Sequence, residues 1–434
     1  MPSGLDRLHD LPRFTGEADD SFKPGLERMH ALLDAMGRPE RSYPSIHVAG
    51  TNGKGSTASL AASILSAAGP TVGLHTSPEL LHVTERMRVD GVAGPEEWLD
   101  EAVRRHADAL DRTAPSFFEA TVAFSFLYFA EASVDIAVVE VGLGGRLDAT
   151  NVLQPLVSII TTIDLEHTNL LGTTLPAIAR EKAGIIKPNT PCVTGVTQPE
   201  ALSTIREIAS AHQAPLHVLE DEGDLSLRDN GSSMRQGLDL RTPSRAYEAL
   251  QPALPGRHQH RNAWLATRAV EIAYPDVTTS DVRDGLQSVA RRAGLRGRMD
   301  ILSDRPLIIA DVAHNASSLA ATLHALLPSV RGHLRVGLAL ARDKDAEPIA
   351  KVLADRGAAV VPLRVVASRL HDPADLAAFL RRRGVRLLPP QTVEGARRHF
   401  EQQADAGDAL LLTGSHHVVR DALRPSEPVP RRSD

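Results

Sequence analysis

The stretch of sequence that decides the fold is IHVAGTNGKGST, residues 46–57. An apolar run ends here in a glycine-rich turn that carries Lys54, and an Ala- and Leu-rich helical pattern follows from Ala58 to about Ala68. A strand, a glycine-rich turn and a helix in this order are typical of a phosphate-binding loop. Backbone N–H groups and the helix N-terminus converge there on an anion, and the lysine adds a positive charge.

The match to the usual phosphate loop is incomplete. Counting back from Gly53 and Lys54, Val48 occupies the first-glycine position, and Gly55 follows the lysine where serine or threonine is usual. The alternative is a glycine-rich turn that only joins a strand to a helix. Turn chemistry alone poorly explains a lysine directly after glycine at the start of a helix, and this favours the phosphate loop.

Length and composition narrow the class of protein. At 434 residues the chain exceeds one typical core, so two or more domains are expected. A formal charge of −6 gives no reason to expect nucleic acid or an anionic membrane as a partner. The single cysteine, Cys192, excludes an intrachain disulfide and suggests a reducing compartment. With a polar, acidic N-terminus and no apolar run of membrane-spanning length, the sequence predicts a soluble, cytoplasmic protein, expected to be a monomer.

Continuous apolar runs alternate with helical patterns along the chain. The runs at 134–141 and 156–163 are typical of strands buried on both faces, and the alternation predicts βαβ units and a doubly wound, mostly parallel α/β sheet. A single helix is predicted over Glu96–Arg112, whereas residues 77–88 fit neither a helix nor a strand.

The same alternation restarts after a basic, glycine-containing segment, residues 291–298, which is the candidate hinge. The first strand after it is predicted at Pro306–Asp311. We therefore predict a first domain over 1–296, a smaller α/β domain over 297–425, and a disordered tail over 426–434.

Polar side chains follow several of the predicted strands directly. The Lys54 loop, Ser77, Glu140 and His167 each lie where a strand ends. Because ligands of open α/β sheets bind beyond the carboxyl ends of the strands, these positions are expected to form one site.

Each of these positions also has a structural explanation. Glu140 is costly to bury alone, so it either pairs with a cation such as Arg146 or binds Mg²⁺ beside substrate phosphates, the preferred interpretation. Taken alone, His167 is more often a hydrogen-bonding structural residue, and Ser77 an ordinary turn serine or N-cap.

Two further motifs also allow both a structural and a functional interpretation. Lys182 lies near the predicted C-terminus of a helix, where a cation is favoured by the helix dipole. The run from Asp311 to Asn315 either caps a helix or contacts a ribose or phosphate. The arginines at 381–386 and 397–398 are interpreted as a solvated helix face.

The motifs together resemble those of the folylpolyglutamate synthases, in particular the bacterial bifunctional dihydrofolate synthase type, within the Mur ligase superfamily. They occur in family order over nearly the whole chain, at residues 47–56, 76–78, 116–119, 140–151, 166–167, 181–187, 256–262, 297–298 and 311–315. The resemblance implies that both departures from the usual phosphate loop noted above are normal in this superfamily. The resemblance implies a P-loop-type ATPase domain followed by a Rossmann-like glutamate ligase domain.

The resemblance also implies roles for individual residues. Phosphate and nucleotide contacts fall on Gly53, Lys54, Gly55, Ser56, Asn262, Arg298, Asp311 and His314. Magnesium ligands fall on Ser77, Glu140 and His167, with Lys182 carbamylated to help hold a second Mg²⁺. Lys54, Lys182 and His167 are the implied catalytic residues. The implied pterin pocket comprises Ser116, Phe117, Phe118, Glu119, Leu147, Asp148 and Ala149.

The implied reaction joins L-glutamate to the carboxylate of dihydropteroate or a folate, with ATP converting that carboxylate into an acyl phosphate. Two residues depart from the family pattern: Glu79 stands where many relatives have histidine, and Glu166 where aspartate is frequent. The alternatives are a Mur-type ligase acting on a peptidoglycan precursor and a nucleotide-dependent switch protein. Only about 45 residues precede the phosphate loop, which argues against a separate UDP-binding domain of the peptidoglycan ligases.

Overall fold

A computed structural model describes residues 3–13, 25–228 and 236–424. The chain divides into two compact units, Met1–Leu295 and Arg296–Asp434, which are described separately below. The tail predicted to be disordered, 426–434, lies outside the described residues. Among the helices of the described part of the chain, none is long and apolar enough to cross a bilayer.

The first unit is built from eleven strands and thirteen α-helices within its described residues. The strands are β1 (Ser45–Ala49), β2 (Val72–His75), β3 (Met87–Val89), β4 (Val92–Ala93), β5 (Ile136–Glu140), β6 (Val157–Ile160), β7 (Cys192–Thr194), β8 (Leu216–Val218), β9 (Asp224–Arg228), β10 (Gly237–Arg241) and β11 (Ala246–Leu250). The helices are α1 (Gly4–His9), α2 (Glu27–Ala35), α3 (Lys54–Ala68), α4 (Glu96–Arg105), α5 (Ala107–Thr113), α6 (Phe117–Glu131), α7 (Thr168–Leu171), α8 (Leu175–Ala183), α9 (Pro199–Ala211), α10 (Leu219–Glu222), α11 (Arg257–Ala273), α12 (Thr279–Gln287) and α13 (Val289–Arg292). Short 3-10 helices occupy Pro39–Arg41, Val83–Arg86 and Ala149–Val152.

Eight strands form the main sheet of this unit in the order β4-β3-β2-β5-β1-β6-β7-β8. All neighbours from β2 to β8 are parallel, which confirms the predicted doubly wound, mostly parallel sheet. Strands β3 and β4, at the other end of the sheet, run antiparallel. The segment 77–88, for which the sequence predicted neither helix nor strand, includes the start of β3, and β4 lies beyond it. A separate antiparallel sheet has the order β11-β10-β9.

The central strands are buried on both faces, as their unbroken apolar sequences require. Val138 on β5 faces an apolar core shared with α3, α11 and α12. Its neighbours Ala137 and Val139 face the opposite core, shared with α2, α4 and α6. Alternate side chains of one strand thus anchor both helical layers, because successive residues of a strand point to opposite faces.

Helix α3 lies deep in the first unit, and residues 55–65 of it are buried. It packs closely against α12 at Gly285, where a Cβ atom would come within 2.5 Å of the Cα atom of Ile64. The Ser63 hydroxyl donates a hydrogen bond to the Gly285 carbonyl at 2.7 Å. These contacts fix the helix that follows the glycine-rich turn.

Strand register brings the carboxyl ends of the central strands to one edge. Val48 on β1 lies beside Glu140 on β5 and beside Ile159 on β6. His75 on β2 lies beside Val139, one residue before Glu140. The segments that leave these four strands therefore start from neighbouring positions.

The single helix predicted over Glu96–Arg112 is wrong, because the chain breaks at His106 into α4 and α5. The two helices pack on different partners: α4 contacts α1, whereas α5 contacts α2. His106 has φ −104° and ψ 18°, outside the helical range. Tertiary packing overrides a helical pattern that is continuous in the sequence.

The second unit has one mixed sheet, ordered β12-β13-β18-β14-β15-β16, with β17 paired to β15. Its strands are β12 (Asp300–Asp304), β13 (Leu307–Ala310), β14 (Leu334–Leu338), β15 (Ala359–Arg364), β16 (Arg386–Leu387), β17 (Gln391–Thr392) and β18 (Ala409–Thr413). Its helices are α14 (Ala316–Leu326), α15 (Ala346–Asp355), α16 (Pro373–Arg381), α17 (Val393–Gln403) and α18 (His416–Leu423), with a 3-10 turn at Leu327–Ser329. The antiparallel edge strand β12 was not predicted, whereas β13 matches the predicted first strand closely.

Candidate active site

The glycine-rich turn between β1 and α3 is anchored to the segment that leaves β6. The Thr51 N–H donates to the Thr162 carbonyl at 2.8 Å, and the Asn52 N–H donates to the Thr162 hydroxyl at 3.0 Å. Gly50 has φ +145°, and a Cβ atom there would overlap the Thr161 hydroxyl at 1.9 Å. Only glycine fits this close approach.

Helix α3 begins at Lys54, and its N-cap Gly53 offers no side chain to cap the first turn. Such a turn leaves backbone N–H groups and positive potential available to an anion. The Lys54 Nζ atom donates to the carbonyls of Gly50 and Thr51, at 3.0 and 3.2 Å. The lysine predicted to hold phosphates therefore lies folded over the loop itself.

The structure brings Asn262, on α11, against the same loop. A Cβ atom at Gly53 would lie 2.7 Å from the Asn262 Oδ1 atom. The Asn262 Nδ2 group donates to the Gln259 Oε1 atom at 2.9 Å, and both side chains are buried. Gln259 was not singled out in the sequence, although it lies three residues before Asn262 and one helical turn away.

Ser77 and Glu140 meet beyond the ends of β2 and β5. The Ser77 N–H donates to the Glu140 Oε2 atom at 3.0 Å, and Glu140 is 4% exposed. The alternative of a Glu140–Arg146 ion pair is wrong, because the Arg146 Nη2 atom lies 2.9 Å from the Glu181 carboxylate instead. Glu140 thus supplies a buried carboxylate, and the adjoining Ser77 a hydroxyl group, both oxygen donors of the kind that Mg²⁺ prefers.

Lys182 reaches the phosphate loop from the last turn of α8. It is 3% exposed, and its Nζ atom donates to the Gly50 carbonyl at 2.8 Å, the same carbonyl that accepts from Lys54. Burial first, and repulsion from Lys54 second, lower the pKa of Lys182 to about 7, against the attraction of Glu166 and Asp148. A simple helix-end cation at the surface, the structural alternative, does not describe this lysine.

His167 is the residue directly before α7. Its backbone has φ +49°, and its imidazole, about one quarter exposed, lies 4.0 Å from the Glu166 carboxylate. Groups of three or more His, Cys, Asp or Glu side chains arranged to hold a metal are not found in the described part of the chain. The predicted metal set contains only two residues of those types and adds a serine and a modified lysine.

The predicted pterin pocket begins at α6. Ser116 caps this helix by accepting from the Glu119 N–H at 3.2 Å, and the Glu119 carboxylate accepts from the Ser116 N–H at 2.8 Å. Glu119 also pairs with Arg28 at 3.1 Å. Ser116 and Glu119 therefore carry a structural task, the capping box, whatever else they contact.

The two phenylalanines of this pocket share Arg86 as a neighbour and otherwise have different contacts. The guanidinium carbon of Arg13 lies 3.8 Å from the ring centre of Phe117, and that of Arg86 lies 5.2 Å from it. Phe118 packs against Gly142, where a Cβ atom would come within 2.3 Å of its ring. Arg86 forms an ion pair with Glu79 at 2.6 Å, and this pairing lowers the pKa of Glu79 against the opposing effect of burial.

Arg13 and Arg86 were missed in the sequence, where only Glu79 was noted. They come from the segment before α2 and from a short 3-10 helix, and no spacing in the chain indicates that both reach Phe117. A basic residue next to an aromatic is common on any protein surface. The juxtaposition depends on tertiary packing alone.

The loop after β5 carries the remaining residues of the predicted pterin pocket, and hydrogen bonds to Asp148 hold its backbone. Asp148 is buried and accepts from the Leu143 N–H at 2.9 Å and from the Thr150 N–H at 3.0 Å. Ala149 is buried, whereas Leu147 is 38% exposed. At Gly145 a Cβ atom would lie 2.7 Å from the Lys182 carbonyl, so the loop contacts α8 directly.

The remaining predicted residues lie in the second unit. Asp311 is 5% exposed and accepts from the Met299 N–H at 2.8 Å, the Ala313 N–H at 2.9 Å and the Thr322 hydroxyl at 3.0 Å. The Arg298 Nη1 atom donates to the Gly297 carbonyl at 3.3 Å.

Next along the chain, the His314 Nδ1 atom lies 2.9 Å from the Val312 carbonyl. Asn315 caps α14 in a capping box with Ser318. The helix-cap alternative therefore holds for Asn315, and the nucleotide contacts of the second unit stay predictions.

Two family models match the chain in the order of its units. The Mur ligase middle domain matches residues 48–270, and the Mur ligase glutamate ligase domain matches residues 297–416. A phosphate loop at the end of a parallel sheet, followed by a second α/β unit of this kind, defines the class as a Mur-type ligase.

Comparison with individual relatives identifies the family within the Mur-type ligases. The chain is 35% identical over 422 residues to the dihydrofolate synthase/folylpolyglutamate synthase of Bacillus subtilis, covering 94% of this chain and 96% of that protein. The structure of E. coli FolC in complex with DHPP and ADP is 30% identical, with a TM-score of 0.84 and 98% of each chain covered. A bifunctional folylpolyglutamate synthase/dihydrofolate synthase with Mn, AMPPNP and L-glutamate bound is also 30% identical, with a TM-score of 0.83 over 97% and 98% of the chains. The chain belongs to the dihydrofolate synthase/folylpolyglutamate synthase family, as its motifs predicted.

Proposed function

We propose that this protein is an ATP-dependent ligase that joins L-glutamate to the carboxylate of dihydropteroate, of a reduced folate, or of both. The observation that carries the proposal is the convergence at one sheet edge of the phosphate loop, the Ser77–Glu140 pair and the buried Lys182. The aromatic segment Phe117–Phe118 packs on the loop that follows Glu140. A nucleotide site and a site for a flat, aromatic acceptor are therefore built on adjoining segments of the first unit.

The chemistry requires an activation step, because a carboxylate does not react with an amine. In the proposed first step a carboxylate oxygen of the acceptor forms a bond to the γ-phosphorus of ATP, and the bond from that phosphorus to ADP breaks. In the second step the amine of L-glutamate attacks the acyl carbon, inorganic phosphate leaves, and the amine nitrogen loses a proton. The products are the amide, ADP and phosphate.

The phosphate loop has the means to bind the triphosphate. The N–H groups of Gly53, Lys54, Gly55 and Ser56 open α3 without a capping side chain. They would hold phosphate oxygens, with the Lys54 ammonium as a positive charge next to the transferring group. Asn262 borders the loop at Gly53 and would contact the same nucleotide. We assign further nucleotide contacts to Arg298, Asp311 and His314.

The donor set beside the loop fits a magnesium ion. Glu140 is a nearly buried carboxylate, and Ser77 is held next to it by a hydrogen bond. We propose that these two residues and His167 hold Mg²⁺, with Lys182 contributing to a second ion once modified. When bound, the metal would neutralise charge on the phosphates as the phosphoryl group moves.

Lys182 is suited to carbamylation. Its pKa of about 7 leaves a substantial fraction of neutral, nucleophilic amine near pH 7. The neutral amine adds to the carbon of CO₂ with loss of one proton, and the lysine becomes an anion. This change replaces its repulsion of Lys54 by attraction. With ¹³C-labelled bicarbonate, we expect a carbamate carbon resonance that is absent from Lys182→Ala; its equal presence in that variant would exclude Lys182 as the modified residue.

The role of this group in turnover has its own test. Lys182→Ala should lose turnover, and short carboxylates should restore part of it if the carbamate is the working group. Full activity of the unrescued variant would remove Lys182 from the mechanism.

One assay tests the function as a whole. Phosphate release is measured with ATP, Mg²⁺ and L-glutamate, and with dihydropteroate or tetrahydrofolate supplied separately as acceptor. We expect release only with a complete set, and the acceptor that supports it identifies the protein as monofunctional or bifunctional. Release that is indifferent to acceptor and glutamate would contradict the proposal and favour a switch protein. Release with a UDP-linked peptidoglycan precursor instead would favour the other Mur-type ligases.

A further inference from the structure

His47 is a histidine in the middle of an otherwise apolar strand, and the chemistry described so far does not use it. It lies on β1, between Val139 of β5 and Ser158 of β6, and is 0% exposed. Its Nε2 atom lies 2.8 Å from the hydroxyl of Thr150, on the loop that follows β5. The imidazole therefore links the strand before the phosphate loop to the loop of the proposed acceptor pocket.

The hydrogen bonds around Thr150 have one consistent direction. The Asp148 carboxylate accepts backbone N–H groups at both oxygen atoms, from Thr150 at Oδ1 and from Leu143 at Oδ2. Burial raises the pKa of Asp148, and the hydrogen bonds from Thr150 and Leu143 act against that rise. The Thr150 hydroxyl lies 2.5 Å from Asp148 Oδ1 and donates to it, because this oxygen already acts as the acceptor of the Thr150 N–H. The oxygen of that hydroxyl then accepts from His47 Nε2–H.

This direction fixes the state of the imidazole. His47 is the neutral tautomer with its proton on Nε2, so its Nδ1 atom is left as a bare acceptor. Nδ1 is buried, and no group in the described residues forms a hydrogen bond with it. Burial first, then the nearby charges of Lys187 and His75, lower the pKa of His47 to about 3, which keeps the ring neutral.

We propose that His47 is a positioning residue for the acceptor: its Nε2–H holds the Thr150 hydroxyl as a donor to Asp148, and so fixes the orientation of the Asp148 carboxyl group. This inference rests on the proposed function and on the family resemblance, which implies that Asp148 belongs to the pterin pocket. We assign His47 itself no contact with any of the three substrates.

A purely structural role explains the arrangement less well. A leucine at this position of β1 would suit the surrounding core, whereas the imidazole buries an Nδ1 atom that pairs with no group in the described part of the protein. What the histidine adds is one donor aimed at Thr150. The neighbouring Ser158 offers a contrast: its hydroxyl donates to the Ile185 carbonyl at 3.0 Å and leads to no predicted substrate contact.

The test compares variants that keep or remove single donors. His47→Leu removes the Nε2–H donor, and His47→Gln keeps a terminal N–H at comparable reach. Thr150→Val removes the hydroxyl, and Thr150→Ser keeps it. The matched control is Ser158→Ala, which deletes a buried hydrogen bond one strand away from His47. For each variant, KM is measured separately for the pterin acceptor, ATP and L-glutamate, together with kcat.

We expect His47→Leu and Thr150→Val each to raise the acceptor KM about tenfold, the size of effect that the loss of one buried hydrogen bond produces. The KM values for ATP and L-glutamate should stay within about twofold, because these contacts lie elsewhere. His47→Gln and Thr150→Ser should recover most of the loss. The acceptor KM of the double variant His47→Leu/Thr150→Val should be no higher than that of the more impaired single variant, since both substitutions remove the same linkage.

Other results would overturn the inference. They are an unchanged acceptor KM in Thr150→Val, additive losses in the double variant, or an equal rise of the acceptor KM in Ser158→Ala. If His47→Leu does not fold, the two Thr150 variants decide the question. A ¹⁵N NMR spectrum of the wild-type histidines gives an independent check, and a proton on His47 Nδ1 would contradict the linkage. A wild-type protein that forms no amide with any pterin acceptor would refute the proposed function instead.

Discussion

Lys182→Met is the variant that tests the electrostatics of the site most sharply. Methionine keeps the length of the side chain and removes its charge. Lys182 is 3% exposed, and its pKa is lowered from 10.5 to about 7, chiefly by burial and then by Lys54. The folded protein therefore carries a buried cation at and below neutral pH.

The sign of the effect follows from proton binding. The unfolded chain keeps the lysine proton up to a pKa of 10.5, whereas the folded protein releases it near 7. Between these values the unfolded state binds more protons, so the free energy of unfolding rises with pH, by about 1.4 kcal/mol per pH unit from this one group. Below the folded pKa the full cost of keeping the charge buried, about 5 kcal/mol, is present.

The assay is urea unfolding of wild type and Lys182→Met in CO₂-free buffer across this pH window. Both tryptophans, Trp98 and Trp264, lie in the first unit, so their fluorescence follows the unfolding of that unit. The advantage of the variant over wild type should be largest near pH 7 and should shrink by about 1.4 kcal/mol per pH unit above it. Lys351→Met, at an exposed position of the second unit, is the control. A stability difference that stays constant with pH would refute the assigned electrostatics.

Three further substitutions follow from the geometry. Lys54→Met should lower kcat by about 10²- to 10³-fold with the fold intact, because it removes a positive charge next to the transferring phosphoryl group; steady-state kinetics and circular dichroism check this. Gly53→Ala should weaken nucleotide binding more than Asn262→Ala does, since it combines φ +87° with a Cβ atom 2.7 Å from Asn262 Oδ1; calorimetric titration with ADP measures both. Gly285→Ala should destabilise the first unit by about 2 kcal/mol with unchanged KM values, because the new Cβ atom meets the backbone of Ile64 at 2.5 Å. Urea unfolding measures this change, and an unchanged free energy of unfolding would contradict the close helix contact.

The sequence was sufficient for the fold class because parallel sheets leave a strong pattern. Strands β1, β5 and β6 are buried on both faces, so each is a continuous apolar run that is read without knowledge of its partners. The position of Ser77, Glu140 and the Lys54 loop at one edge followed from the same rule, and the Ser77–Glu140 hydrogen bond agrees with it. The family and the ligase class predicted from the motifs are confirmed by the matched domains and relatives.

Features that depend on long-range packing could not be predicted from the sequence. The break at His106 depends on α4 and α5 packing against different helices. Strands β3 and β12 are short or partly exposed and pair antiparallel, β12 at the edge of its sheet and β3 next to the edge strand β4, where the apolar pattern is weak. The approach of Arg13 and Arg86 to Phe117 joins three distant segments.

The alternatives that the sequence left open at single residues were decided by contacts. Arg146 pairs with Glu181, so the ion pair between Glu140 and Arg146 that the sequence allowed does not form. Lys182 was compatible with an ordinary helix end until its Nζ atom was located on the Gly50 carbonyl. Spacing along the chain predicts which strand end a residue follows, but not which partner its side chain reaches.

The central claim is that ATP activates the acceptor carboxylate as an acyl phosphate, and one isotope measurement tests it directly. The acceptor is prepared with ¹⁸O in the carboxylate that receives glutamate, and the phosphate released during amide formation is analysed by mass spectrometry. The account predicts one ¹⁸O atom in each phosphate released, because the carboxylate oxygen that bonds to phosphorus leaves with it. Amide formation with unlabelled phosphate would contradict the account.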